Sequence, residues 1–97
     1  MNKIFSRLML DEMTKNEWVT SRGRRIKVRK MDKEHLSNTV SWLRRNNMAL
    51  RVRLLRENLN ASKAWKLEVL TNNVDNFLSE HVRPYNAMLL ELARRHE

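Results

Sequence analysis

The stretch Asp32-Lys33-Glu34-His35-Leu36-Ser37-Asn38-Thr39-Val40-Ser41-Trp42-Leu43-Arg44-Arg45-Asn46-Asn47-Met48-Ala49-Leu50-Arg51-Val52-Arg53-Leu54 decides the fold. Leu36, Val40, Leu43, Asn47, Leu50 and Leu54 recur at alternating intervals of four and three, which puts them on one helical face. Asp32 stands where a carboxylate caps the free amides of a first turn, and Met31 is spaced to pack on Leu36. The spacing predicts a long helix over 32–58. Asn47 is the polar residue on its seam. Asn46-Asn47 either breaks the helix, or Asn47 is a buried asparagine that sets the register of the packing.

Towards the C-terminus, Asn60-Ala61-Ser62 offers caps for a second long helix over 60–82. Leu67, Leu70, Val74, Phe77 and His81 continue the seam spacing, and Trp65, Val69 and Leu78 widen it. Arg83 precedes Pro84 and is biased out of the helical region, which ends this helix near Val82. Pro84 suits the first turn of a terminal helix over 84–96. That helix carries Tyr85, Met88, Leu89 and Leu92 on one face, with Arg94, Arg95 and His96 against its C-terminal dipole.

Towards the N-terminus the period changes. Ile26 and Val28 alternate with Arg25, Lys27 and Arg29, the signature of a strand with one buried face. Gly23 sits where a tight hairpin needs a positive φ, so residues 18–30 are expected to form a two-stranded ribbon whose outward face is almost wholly arginine and lysine. Ile4, Phe5, Leu8, Met9 and Met13 have helical spacing and predict a short helix within 1–17. The fold class that follows is mainly α: one domain over 1–97, an antiparallel helical hairpin or small bundle with a short basic two-stranded β-ribbon near the N-terminus. One Gly and one Pro in 97 residues leave too little turn chemistry for an all-β fold. Apolar surplus at Leu54-Leu55, Trp65 and Leu89-Leu90 leaves monomer and homodimer equally open.

Charge separates the two halves. Residues 1–56 hold 15 Lys and Arg against 5 Asp and Glu, whereas residues 57–97 hold 5 against 6. The formal net charge of +9 therefore belongs to the first half. It concentrates in two blocks: Arg22, Arg24, Arg25, Lys27, Arg29 and Lys30 on the ribbon, and Arg44, Arg45, Arg51, Arg53 and Arg56 on the long helix. A cationic surface of this kind attracts nucleic acid, an anionic membrane or an acidic protein face.

Chemistry of other kinds finds little support. The chain has no cysteine and 3 histidines, His35, His81 and His96, too far apart to suggest a metal site. With a single glycine there is no phosphate-cradling loop, so neither cofactor nor catalytic activity is expected. No stretch approaches the length of a membrane span, and the absence of cysteine agrees with the cytoplasm. Nucleic acid is the first expected partner, since a two-stranded ribbon is narrow enough to enter a major groove and the helix arginines add phosphate contacts. The alternative is an acidic face of another protein, gripped by rim arginines with Trp42 or Trp65 as anchors.

Trp18-Val19-Thr20, Gly23, Ile26, Val28, Met31, His35-Leu36 and Asn38 together resemble a pattern found in small accessory proteins of tailed bacteriophages. The resemblance covers about a fifth of the chain and implies origin more than activity. What it implies is a nonenzymatic protein that binds host or phage machinery in the infected bacterial cytoplasm. His35 is then a capping or packing residue.

Overall fold

Backbone chemistry near Gly23 shapes the first element of the fold. Gly23 has φ 82°, its N–H donates to the Thr20 carbonyl at 2.9 Å, and the Thr20 N–H donates to the Arg24 carbonyl at 2.9 Å. The Arg24 N–H also donates to Thr20 Oγ1 at 3.1 Å. This turn joins strands β1 (Glu17–Val19) and β2 (Arg25–Lys27), antiparallel, in the register Glu17 to Lys27, Trp18 to Ile26 and Val19 to Arg25. The expected ribbon is present but shorter than 18–30. After a last ladder bond from Val28 N–H to the Asn16 carbonyl at 2.8 Å, Val28–Lys30 coils into a 3-10 turn that buries Val28.

The computed structural model describes residues 8–96. Residues 1–7, the start of the expected first helix with Ile4 and Phe5, lie outside that range. Within it the expectation of a helix to Met13 does not hold, since Leu10–Glu12 is a single 3-10 turn. Leu8 and Met13 are both buried, and five residues of α-helix would aim them roughly 140° apart. A tight turn returns both to one core.

Helix α1 (Lys33–Arg45) starts as its cap requires: Asp32 Oδ1 accepts from His35 N–H at 2.7 Å, with Met31 and Leu36 buried beside it. It stops at Asn46, whose φ −108° and ψ 16° leave the helical region, and α2 (Asn47–Glu57) follows. The expected single helix over 32–58 is thus two. Asparagine side chains bond the carbonyls at this end: Asn46 Nδ2 donates to Trp42 O, which also accepts the Asn46 N–H, and Asn47 Nδ2 donates to Arg44 O, each side-chain bond at 2.8 Å.

The expected single helix over 60–82 is likewise two, α3 (Lys63–Thr71) and α4 (Val74–His81). Asn72 is extended, and Asn73 Oδ1 accepts from Asn76 N–H at 2.8 Å as the cap of α4. This break resets the rotation of the chain. Val69 faces the core while Leu67 and Leu70, expected on the seam, are 61% and 45% exposed. The terminal helix α5 (Tyr85–Arg95) begins directly after Pro84.

The five helices of the described residues form a small bundle. α1 packs on α4 and α5, and α2 packs on α3, so Leu36, Val40 and Leu43 are covered within one chain. The core continues through Leu50, Phe77, Leu78, Val82, Tyr85 and Met88, and reaches the ribbon at Trp18 and Val19. No helix of the described residues is long and apolar enough to cross a membrane.

A half-buried histidine lies beside the core. The His81 ring lies 5.0 Å from the Phe77 centroid and 6.4 Å, edge-on, from that of Trp65. Burial pushes its pKa below the usual imidazole value, against the pull of Glu80 and Glu68. The unfolded chain therefore binds a proton more readily than the folded one, and stability is complete above the ordinary imidazole pKa and falls below it. The melting temperature is expected to drop between roughly pH 7 and pH 5, above the window where carboxylates titrate. His81→Gln flattens that drop in a melting series; parallel curves for parent and variant would assign it elsewhere.

Candidate nucleic-acid interface

The eleven cations expected to bind a partner divide in two by what they touch. Arg51 is the clearest departure from expectation. It is 3% exposed, with Nη1 donating to the carbonyls of Val69 at 2.9 Å and Leu70 at 3.1 Å, and Nε to Asn47 Oδ1 at 2.9 Å. Its guanidinium carbon lies 4.5 Å from the Phe77 ring centroid. A cation in this position satisfies late carbonyls of α3 and joins α2 to α3 and α4. Burial lowers its pKa, and no face of it reaches a phosphate. Of the two readings of Asn46-Asn47 the structure has the break, and Asn47, half-buried at the start of α2, is the acceptor that orients Arg51.

Arg44, although exposed, is also engaged with its own chain. Nε donates to Asp75 Oδ1 at 3.2 Å and to Tyr85 Oη at 2.9 Å, and Tyr85 Oη donates to Asp75 Oδ1 at 2.6 Å. The three tie α1 to the starts of α4 and α5. Burial opposes the Arg44 charge, but hydrogen bonds with Asp75 and Tyr85 outweigh it and raise the pKa. The Tyr85 hydrogen bond, followed by Arg44, holds Asp75 below the usual carboxylate range; burial, then Asp75, pushes Tyr85 up to about 12.

Arg53 pairs with Glu57 at 2.7 Å and donates to the Leu8 carbonyl at 3.2 Å. Arg25 donates to the Glu12 carbonyl at 2.7 Å and pairs with Glu17 at 3.3 Å and Glu12 at 3.6 Å. The outward face of the ribbon is therefore Lys27 with a partly neutralised Arg25 and Glu17, less cationic than its sequence implies.

Arg22, Arg24, Lys27, Arg29, Lys30, Arg45 and Arg56 remain exposed, and among the described residues their head groups meet no carboxylate. Arg22 and Arg24 flank Gly23 in the hairpin turn. Arg29 and Lys30 leave the 3-10 turn after β2, where the Arg29 carbonyl accepts from Arg95 Nη2 at 3.1 Å. Arg95 and Arg94 both pair with Glu91, Arg94 first, and hold its carboxyl down to about 2.

Among the described residues, concavities lie on two sides of the ribbon. One, of about 670 Å3, separates it from α5 and has Val28, Ala87 and Leu90 between Lys27, Arg29 and Arg94, with Glu17 and Glu91 also on its walls. The other lies between the hairpin turn and α1, where Ser21 and Trp18 face His35, Asn38, Trp42 and Arg45. His35, Asn38 and Trp42 were not read as one site from the sequence, although their spacing there already places them on one side of α1. Among the described residues no three His, Asp or Glu converge as metal ligands. Comparison of the chain with protein-family models, curated proteins and solved structures finds no match.

Proposed function

We propose that the protein is a nonenzymatic nucleic-acid-binding protein that uses the ribbon turn, the 3-10 turn after β2 and the C-terminal end of α1. One observation carries this reading: the carboxylates of Glu12, Glu17, Asp75 and Glu57 are held by Arg25, Arg44 and Arg53, while Arg22, Arg24, Lys27, Arg29, Lys30 and Arg45 stay exposed and unpaired among the described residues. Unpaired surface cations attract phosphate chiefly by releasing its condensed counterions. The α1 seam is covered within one chain, so the reading needs no second copy. In this reading the protein is a phage-type accessory protein acting in the cytoplasm of an infected bacterium, an expectation resting on the pattern over 18–38 alone.

Fluorescence anisotropy with labelled strands, using protein freed of nucleic acid, tests it. Five or six phosphate contacts predict a loss of affinity on the order of a hundredfold or more between about 50 and 200 mM salt. Absence of binding to duplex and single strand alike at about 50 mM salt would refute the proposal.

A second reading, an acidic protein segment, is favoured by the groove beside α5, where Leu90 is 72% exposed between cations. There Leu90→Glu weakens a protein partner and leaves strand binding unchanged.

A further inference from the structure

The apolar surplus of the surface is not where the sequence places it. Leu54, Leu55, Trp65 and Leu89 pack against the core, and of the expected residues only Leu90 is exposed. Among the described residues seven large apolar side chains are exposed, and five of them, Met48, Val52, Leu59, Leu67 and Leu70, belong to the hairpin of α2 and α3. Helix rotation, about 100° per residue, sets them on one side of it. Arg51 marks the flank of α2 that faces α3, since it donates to the Val69 and Leu70 carbonyls, while Arg53 on the opposite flank reaches the Leu8 carbonyl. Met48 and Val52, one turn apart, lie on the Arg51 flank and farther from the core. On α3, Trp65 stands beside His81 of α4, and Lys66 donates to the Leu59 carbonyl at 2.6 Å. Leu70 and Leu67 follow round the helix past Lys66, away from α4 and next to α2. The exposed surface of the five is roughly 500 Å2, in the upper part of the range for the largest apolar patch on a monomer, about 300–600 Å2.

We propose that this face binds a second copy of the chain across a two-fold axis. Two such faces together bury roughly 1,000 Å2, which meets the lower bound for a specific interface. Charge selects the occupant. A copy approaching on the ribbon side sets the basic half, 15 Lys and Arg against 5 Asp and Glu, against itself, whereas residues 57–97, which include α3, hold 5 against 6. A strongly acidic partner is drawn to the exposed cations of that basic half and not to this face. Within the hairpin the charges are mostly spent: Arg51 is buried, Arg53 pairs with Glu57, and Lys66 holds the Leu59 carbonyl. An apolar centre poor in free charge is the anatomy of a homodimer contact. Arg56, Lys63 and Glu68 remain exposed on the hairpin, with both signs present. Each contact across a two-fold axis forms twice, so Glu68 of one copy set against Arg56 or Lys63 of the other supplies two ion pairs. The ribbon lies outside this face, and the contact does not depend on strand binding.

Sedimentation equilibrium of the intact chain, freed of nucleic acid, reads the contact directly. Over about 1 to 100 µM the mean mass is expected to rise from one copy towards two, since an interface at the small end of the range is held weakly. Leu67→Glu with Leu70→Glu is expected to weaken dimerisation about a hundredfold or more, because a carboxylate is then carried into the contact. Each glutamate also lowers the net positive charge, which by itself favours association, so the loss belongs to the face. Both positions are exposed, and circular dichroism should show an unchanged fold. Met48→Glu alone, on α2, carries the test should that variant unfold, with a loss of about tenfold. Leu90→Glu, as exposed but on α5, is expected to leave the mass unchanged. A parent that stays monomeric at about 100 µM overturns the proposal and leaves the face to a different protein. A dimer that survives in the folded variants, a dimer lost in Leu90→Glu, or a mass that climbs past two copies overturns it as well.

Discussion

Arg51→Ala is expected to lower folding stability by about 3 kcal/mol, because it removes a charged donor from three buried or half-buried acceptors at once. In a domain of this size that lowers the melting temperature by roughly 12 to 24 °C. Two late carbonyls of α3 lose their donor in an enclosed setting, the Asn47 amide loses its partner, and the Phe77 ring loses the cation stacked on it. Arg51→Lys retains a charge, but a single ammonium does not reproduce the guanidinium fork, so an intermediate loss is expected. Arg51→Met refills the volume without leaving a buried charge and recovers part of the loss. Melting followed by circular dichroism reads all three variants. A surface arginine devoted to phosphate contact would leave the melt unchanged on replacement by alanine, so the result decides which kind of residue Arg51 is.

The second large effect is on binding. With Arg22, Arg24, Lys27 and Arg29 replaced by serine, affinity for a single strand at about 100 mM salt is expected to fall on the order of a hundredfold. All four side chains are exposed, so melting temperature should change little, surface substitutions of this kind costing about 0.5 kcal/mol or less each. Arg44→Ser provides the contrast. It breaks the contacts with Asp75 and Tyr85, so its main effect is on the melt. Anisotropy and melting of the two variants side by side separate cations that bind from cations that brace. An unchanged affinity in the quadruple variant would take the ribbon out of the interface.

Features that depend on near neighbours in the chain were legible in the sequence. Gly23 marks the hairpin, Asp32 caps α1, and the Leu36, Val40, Leu43 spacing identifies a buried face, each within a few residues of its partners. The Asn46-Asn47 pair raises the first helix break as one of two equal readings, whereas the equivalent Asn72-Asn73 pair is masked by apolar residues that keep seam spacing across it. Leu67 and Leu70 consequently fit a stripe that the chain does not form. The duties of the arginines were illegible for another reason. Arg44 finds Asp75 and Tyr85, and Arg51 finds the Val69 and Leu70 carbonyls, only after the helices have packed, while their sequence neighbours look like those of Arg45. The stripe of His35, Asn38, Trp42 and Arg45 has helical spacing, but beside an apolar seam it reads as an ordinary solvent face. Only the hairpin turn set against it makes a cleft.

The interface is tested most directly by following the backbone amides of the intact chain by nuclear magnetic resonance while an unlabelled single strand is added. The account predicts that the largest shifts fall in residues 20–30, with a second set at the C-terminal end of α1 around Arg45. Amides of α3 and the exposed Leu67 and Leu70 should stay in place. Shifts confined to α3 or to the groove at Leu90, with the ribbon turn and the C-terminal end of α1 unmoved, would contradict it.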